Sequence, residues 1–161
     1  MTENPYGQYV AGRDVLASLT ETPARIEALV SGWNEAAFER SYGPGKWSAR
    51  QILIHLAQAE LVFSTRVRFA LAESDYVIQP FDQDPWLAVE TAAGARLALD
   101  AYLAIRRLNL PLWRGLSPAQ RARRFTHPAF GEVDVDWQLT LIAGHELNHL
   151  PQFEAIQTGT V

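Results

Sequence analysis

Apolar residues recur at threes and fours along most of this chain, and that period marks out four long helical segments. The first runs from Ala11 to Val30, with Val15, Leu16, Leu19, Ile26, Leu29 and Val30 on one face. Thr22-Pro23 interrupts it. Threonine suits an N-cap and proline the first helical position, so the spacing predicts one kinked helix or two abutting ones. A short turn over Glu35 to Glu39 follows, and Tyr42 to Gly45 then break the chain. The second segment opens at Ser48, where Gln51 three residues on completes a capping box, and continues to about Ala72. Its inward stripe reads Ile52, His55, Leu56, Ala59, Val62, Phe63, Arg66 and Phe69 or Ala70, so a histidine and an arginine share the face that turns to the core.

A polar linker from Glu73 to Asp84 leads to Asp84-Pro85, a helix-start pair, and to an Ala- and Leu-rich third helix from Pro85 to Leu108 with Gly94 inside it. Pro111, Gly115 and Pro118 end that pattern, and Ser117-Pro118 starts a single helical turn. After a loop marked by His127-Pro128 and Gly131, the last helix runs from about Asp134 to Gln157. The alternation of Val133 and Val135 is too short to define a strand. Four long helices predict an all-α four-helix bundle. The linker between the second and third is long enough to cross the bundle end, so simple up-down-up-down order is not required.

With 161 residues and 48% hydrophobic content, the chain has enough core for a single domain spanning residues 1–161 and too little for two. A net charge of −4 without any basic run argues against nucleic acid as a partner, although Arg121, Arg123 and Arg124 lie close together. No apolar run approaches the roughly 18–20 residues that span a bilayer, and MTENPYGQYV lacks the charged and apolar regions of a signal peptide. A cytoplasmic protein without a membrane partner is expected. Cysteine is absent, which removes disulfides and thiolate metal ligands together. Any metal then falls to histidine, carboxylate or water, and any thiol chemistry needs a thiol from outside.

The chemistry concentrates in Leu141 to Ile156, LIAGHELNHLPQFEAI. His145 and His149 sit one helical turn apart on one face, where two imidazoles can converge on one ion. The letters also spell H-E-x-x-H, the zinc peptidase signature. Such peptidases take a third ligand from downstream, and the only carboxylate beyond His149 is Glu154 on the same helix. The third ligand must therefore come from upstream, and His55 is the candidate. Each histidine taken alone is equally an ordinary helix residue bonded to backbone or water. Three of the chain's four on the inward faces of two helices favour a shared metal site. Three neutral imidazoles leave a divalent ion charged and partly open, which is the catalytic rather than the structural pattern. Imidazole suits zinc, nickel, iron and copper alike, and with manganese also among the candidates the identity of the ion is not readable.

Glu146 borders the inward face and is the candidate catalytic residue, with a solvated or supporting place the expected one. Gln152 shares the histidine face, His127 suits a pocket rim, and Gln51 points toward His55 while serving the cap. Asp82 and Trp86 flank the crossover and could line a pocket mouth. Arg66 lies some 16 Å along the helix from His55, where pairing with an acid is expected and anchoring a substrate carboxylate is the alternative. Trp33, Trp47, Trp113 and Trp137 are assigned to packing.

KWSARQILIHLAQAE with His55, HPAFGEVDVDW, and GHELNHLPQFEAI with His145, His149 and Gln152 together resemble the DinB-like, YfiT-like family, from about Ala11 to Ile156. The resemblance implies a bundle in up-down-down-up order, often a homodimer, with a metal held by three histidines that map onto His55, His145 and His149. It also implies activity. Some relatives join a low-molecular-weight thiol such as bacillithiol or mycothiol to an electrophile, and others are labelled metal-dependent hydrolases. Asn148 stands where a second histidine often precedes the last ligand, which leaves the triad whole. The reading is a metal-dependent enzyme that activates a thiol or water against an electrophilic small molecule. Thiol transfer is favoured on resemblance alone. The alternative is a non-catalytic, stress-related metal-binding bundle whose shell is closed by Glu146 or His127.

Overall fold

The computed structural model describes residues 2–159. A 3-10 turn at Gly7–Val10 precedes α1 (Val15–Val30), α2 (Glu35–Phe38), α3 (Ala49–Ala72), α4 (Gln83–Val89), α5 (Ala95–Arg114) and α6 (Pro118–Arg121). An antiparallel hairpin, β1 (Arg124–His127) and β2 (Gly131–Asp134), then leads into α7 (Val135–Thr158). Each long helix starts where the local chemistry supplies an acceptor or a free backbone. Asp14 accepts from Ala17 N, Ser48 and Gln51 form the reciprocal box, and Asp134 accepts from Trp137 N.

Two apolar clusters fix the direction of every long helix. One gathers Ile26 and Val30 of α1, Ile52 and Leu53 of α3, Ala98 and Tyr102 of α5, and Phe153 and Ile156 of α7. The other gathers Leu19, then Val67 and Ala70, Trp113, and Leu139 and Ile142 from the same four helices. So α3 and α5 run parallel, and α1 and α7 run against them. Residues 73–94 must carry the chain back along the bundle. α3 packs on α5 and α7, and α1 on α7 and α5, which closes a four-helix bundle.

Three elements depart from the sequence pattern. Thr22-Pro23 does not interrupt α1, which is continuous, because both residues are buried among the neighbouring helices and Asp14 provides the cap upstream. The expected helix from Pro85 to Leu108 is two helices. Asp82 caps α4, the chain breaks over residues 90–94, and Gly94 precedes α5 rather than lying within it. α5 then runs on through Pro111, because Trp113 in the turn beyond is fully buried and holds that turn on the core. The stretch around Val133 does form a strand. Gly131 adopts φ 73° at the turn, a conformation that glycine reaches without cost, and Val133 pairs with Phe125. Val135 belongs to α7.

Candidate metal centre

His55 projects from the second turn of α3, and His145 and His149 from consecutive turns of α7. Nε2 of His145 lies 2.8 Å from Nε2 of His55 and 3.2 Å from Nε2 of His149. All three rings are buried, at 1%, 4% and 6% exposure, so the nitrogens face one another and not solvent. Burial drives the imidazoles toward the neutral form: His55 is lowered to about 3, His145 falls well below its ordinary value, and His149 is lowered too.

Whether this set fits a metal is decided by its proton inventory. A neutral imidazole carries one proton. His149 Nδ1 lies 2.8 Å from Gln152 Oε1, which places the proton there and leaves Nε2 a bare acceptor. His55 Nδ1 is buried with no hydrogen-bond partner. A cation between the three Nε2 atoms would accept a lone pair from each ring, with the ring protons on Nδ1. Nitrogens about 2.05 Å from one ion stand roughly 2.9 Å apart at a right angle and 3.3 Å apart at a tetrahedral angle, each within about 0.1 Å of one of the observed separations, 2.8 and 3.2 Å. The three ligand atoms lie within 4.8 Å of one another and fit a divalent ion.

Aromatic rings wall the site. Trp47 lies 5.0 Å from the His55 ring, and Tyr6 and Phe63 meet His145 edge-on at 5.3 and 5.5 Å. Two cavities open from the triad and share Tyr6 and Gln83. One, of about 440 Å³, is bounded by His55, His145, Phe63, Phe81, Phe130 and Arg66. The other, of about 280 Å³, is bounded by His149, Gln152, Asn148, Tyr42, Lys46 and Trp47. No Asp or Glu lines either one.

Glu146 is not on that wall. It is 2% exposed and points into a buried ion cluster. Arg106 Nη1 donates to Glu146 Oε2 at 2.9 Å and Nη2 to its Oε1. The same guanidinium donates through Nε and Nη2 to Glu60 at 3.1 and 2.6 Å, and through Nη1 to the Leu19 carbonyl at 2.8 Å. Asn109 Nδ2 adds a bond to Glu60 at 2.7 Å. Burial pushes the Glu146 carboxyl up to about 7 against the pull of Arg106. The cluster ties α1, α3, α5 and α7 together beside the triad.

The structure places the other candidates unevenly. Gln152 holds His149, and His127 lines the larger cavity with Nδ1 accepting from Ala129 N at 3.1 Å. Gln51 is spent on the Ser48 cap and faces a separate groove with Arg50 and Ile54. Asp82 caps α4 and lines neither triad cavity, whereas its neighbour Gln83 lines both. Arg66 has no acid partner among the described residues; its Nη2 donates to the Gln79 carbonyl at 2.9 Å. Trp33, Trp113 and Trp137 are buried as expected, but Trp47 is half-buried and walls the site. Sequence reasoning missed Tyr6, Phe81 and Gln83, which lie in irregular segments or short helices where periodicity is silent. It also missed Glu60, Arg106 and Asn109, three polar residues that only the assembled bundle brings together.

A bundle in which two long helices bring three histidines to one point defines a class of metal-site helical proteins. The family model of the DinB superfamily matches residues 18–153, and the chain belongs to that superfamily. A protein of Oceanobacillus iheyensis named provisionally as metal-dependent hydrolase OB0782 is 26% identical over 139 residues, covering 86% of this chain and 81% of its own. YfiT of Bacillus subtilis, named in the same provisional way, is 28% identical over 137 residues, covering 82% of this chain and 76% of its own. A solved structure of YfiT from Bacillus subtilis superimposes with a TM-score of 0.82 at 21% identity, over 99% of this chain and 89% of that one. It is described as a probable metal-dependent hydrolase with an unusual four-helix bundle topology, and the fold is shared. Among the described residues no helix is long and apolar enough to cross a membrane.

Proposed function

We propose that this protein is a metal-dependent transferase that joins a low-molecular-weight thiol to an electrophilic small molecule at His55, His145 and His149. One observation carries the preference for a thiol over water: two unlike cavities meet at the triad, and neither offers a carboxylate. When bound, a divalent ion supplies Lewis acidity and lowers the pKa of a thiol or water that reaches it. Water starts near 15.7 and gains from a general base, while a thiol starts near 8.5 and can manage without one. Glu146, the one acidic neighbour of the ligands in sequence, is held by Arg106 and is not free to serve as that base.

The chain's own residues divide the remaining work. Tyr42, Lys46, Asn148 and Gln152 give the smaller cavity donors and acceptors for a polar, hydroxylated thiol. Phe63, Phe81, Phe130 and Leu141 give the larger one an apolar wall that admits an electrophile and excludes water. Gln152 keeps the His149 proton on Nδ1. In the transfer the sulfur attacks the electrophilic carbon, a C–S bond forms as the bond to a leaving group such as chloride breaks, and the thiol proton passes to solvent.

The test begins with metal content of untagged protein beside His55→Ala, His145→Ala and His149→Ala. Loss of the ion in all three supports the site, and unchanged content in all three would end it. Loaded protein is then given 1-chloro-2,4-dinitrobenzene with cysteine, coenzyme A or a sugar thiol, and without any thiol. A thioether formed only with thiol present supports transfer. Dinitrophenol released without thiol would return the protein to the hydrolases.

A further inference from the structure

Arg66 is the unexplained charge of the larger cavity. It is 5% exposed, its Nε is buried without a hydrogen-bond partner, and among the described residues its one hydrogen bond runs from Nη2 to the Gln79 carbonyl. A buried cation without a counter-ion is costly unless something negative joins it. No acidic residue lines this cavity or the apolar groove on the far side of Arg66, so the protein itself does not supply the anion. The guanidinium carbon sits 5.3 Å from the Phe63 ring, a face that attracts cations and holds the fork in place.

Phe63 also sets the distance to the triad. Its ring lies 5.5 Å from His145 and 5.3 Å from the Arg66 guanidinium carbon, which puts the charge at most about 11 Å from the ligand ring. Between them lie Phe63, Phe81 and Pro80, an apolar passage. His127 stands on the same cavity. Because its Nδ1 accepts from Ala129 N, a neutral His127 ring carries its proton on Nε2, a second donor for an anion.

We infer that Arg66 is the anion anchor of this site and that the electrophilic substrate is a small apolar carboxylic acid, its carboxylate on the Arg66 fork and its body along Phe63 and Phe81. The carboxylate is preferred to a phosphate on charge and shape. One planar guanidinium neutralises one negative charge and matches two coplanar oxygens, whereas a dianion would bring an unmatched charge into the same apolar space. Burial lowers the Arg66 guanidinium to about 10, which still leaves it fully charged at neutral pH. Calling the bound acid a substrate rests on the proposed function; the recognition itself is a binding property and needs no turnover.

The probes are 4-chlorobenzoate and its neutral isostere 4-chlorobenzamide, measured by calorimetry on metal-loaded protein of known metal content. Wild type is expected to favour the carboxylate about ten- to a hundredfold, the range for one charge-assisted pair. Arg66→Gln should abolish that preference at unchanged metal content and melting temperature, with Arg66→Lys between the two. A preference that survives Arg66→Gln but disappears in His149→Ala would assign the carboxylate to the ion and overturn the anchor. No preference in wild type would overturn it too. Should Arg66→Gln fail to fold, the Arg66 Nε–H resonance of wild type decides: it should shift with the benzoate and not with the amide, and an unmoved resonance refutes contact. Failure of the proposed function would show separately, as absent metal or absent thioether, with the binding preference intact.

Discussion

Gln152 Oε1 lies 2.8 Å from His149 Nδ1, and this contact decides which nitrogen of His149 faces His145 as a lone pair. A glutamine one turn beyond the last ligand does by hydrogen bonding what a carboxylate or carbonyl does in other histidine sites: it fixes tautomer and ring angle together. His55 has no such partner, since its Nδ1 is buried and unbonded, and outside the triad its ring packs against Trp47 and Phe81.

Gln152→Leu should therefore weaken metal binding by about ten- to a hundredfold while leaving three ligands in place. Competition against a chromophoric chelator measures this directly. Affinity equal to wild type would show that the ring needs no help, and affinity as poor as His149→Ala would show that the variant had lost the ligand itself.

Arg106 pairs with two buried carboxylates, Glu60 and Glu146, and is their single cation among the described residues. Removing it leaves two uncompensated acids in the core, whereas Glu146→Gln leaves one matched pair. Arg106→Met is expected to cost about 3–5 kcal/mol in denaturant unfolding, and Glu146→Gln clearly less. Metal content should survive in Glu146→Gln, because Glu146 touches Arg106 and no ligand ring. An Arg106→Met protein as stable as wild type would show that the cluster contributes nothing net.

Most of the bundle was legible because it rests on local chemistry. The Ser48 box, the start of the last helix near Asp134 and the inward stripe of α3 are written within a few residues of where they act. His145 and His149 were legible for the same reason, being four apart on one helix. The stripe of α3 placed His55 on an inward face, but its pairing with the other two came by elimination and resemblance, since its 90-residue separation from His145 carries no period. Glu60 and Arg106 gave no signal, because a buried ion pair and a solvated charge look alike in sequence. The site of Glu146 was misjudged for a related reason. A helical wheel places it at the border of the inward face, and only Arg106 on a third helix explains why it is drawn in.

The metal-free protein should lose stability as pH falls from about 7.5 to 5. His55, His145 and His149 are all lowered in the folded state, mainly by burial, with mutual repulsion among the rings adding at His55 and His145. The unfolded chain takes up protons near pH 6.5 while the folded one does not, so their contribution is intact above that pH and lost below it. For His55, lowered to about 3, the loss reaches roughly 2 kcal/mol at pH 5. Glu146, raised to about 7 by burial, acts in the opposite sense and gains a proton on folding over part of the same range. Three groups oppose one, so the net slope is a loss, and Glu146→Gln should steepen it. Melting temperatures across this range check both; a flat profile in the two proteins would contradict them.

Gly144 is the residue that lets the N-terminal segment close over the triad. A β-carbon there would stand 2.3 Å from the Tyr6 carbonyl oxygen and 2.7 Å from the Tyr6 β-carbon, too near for either to remain. Tyr6 meets the His145 ring edge-on and lines both cavities, and the segment is pinned beside it by Asn4 Nδ2 donating to the Trp137 carbonyl at 2.9 Å. Alanine suits the interior of α7 better than glycine does, so Gly144→Ala should leave the helix formed and displace the strap instead. The expected result is faster amide exchange and proteolysis over residues 2–10, retained metal, and a higher KM for whichever substrate Tyr6 covers. If exchange in residues 7–10 is unchanged while the whole protein melts lower, α7 has moved rather than the segment, and Tyr6 is not held as described.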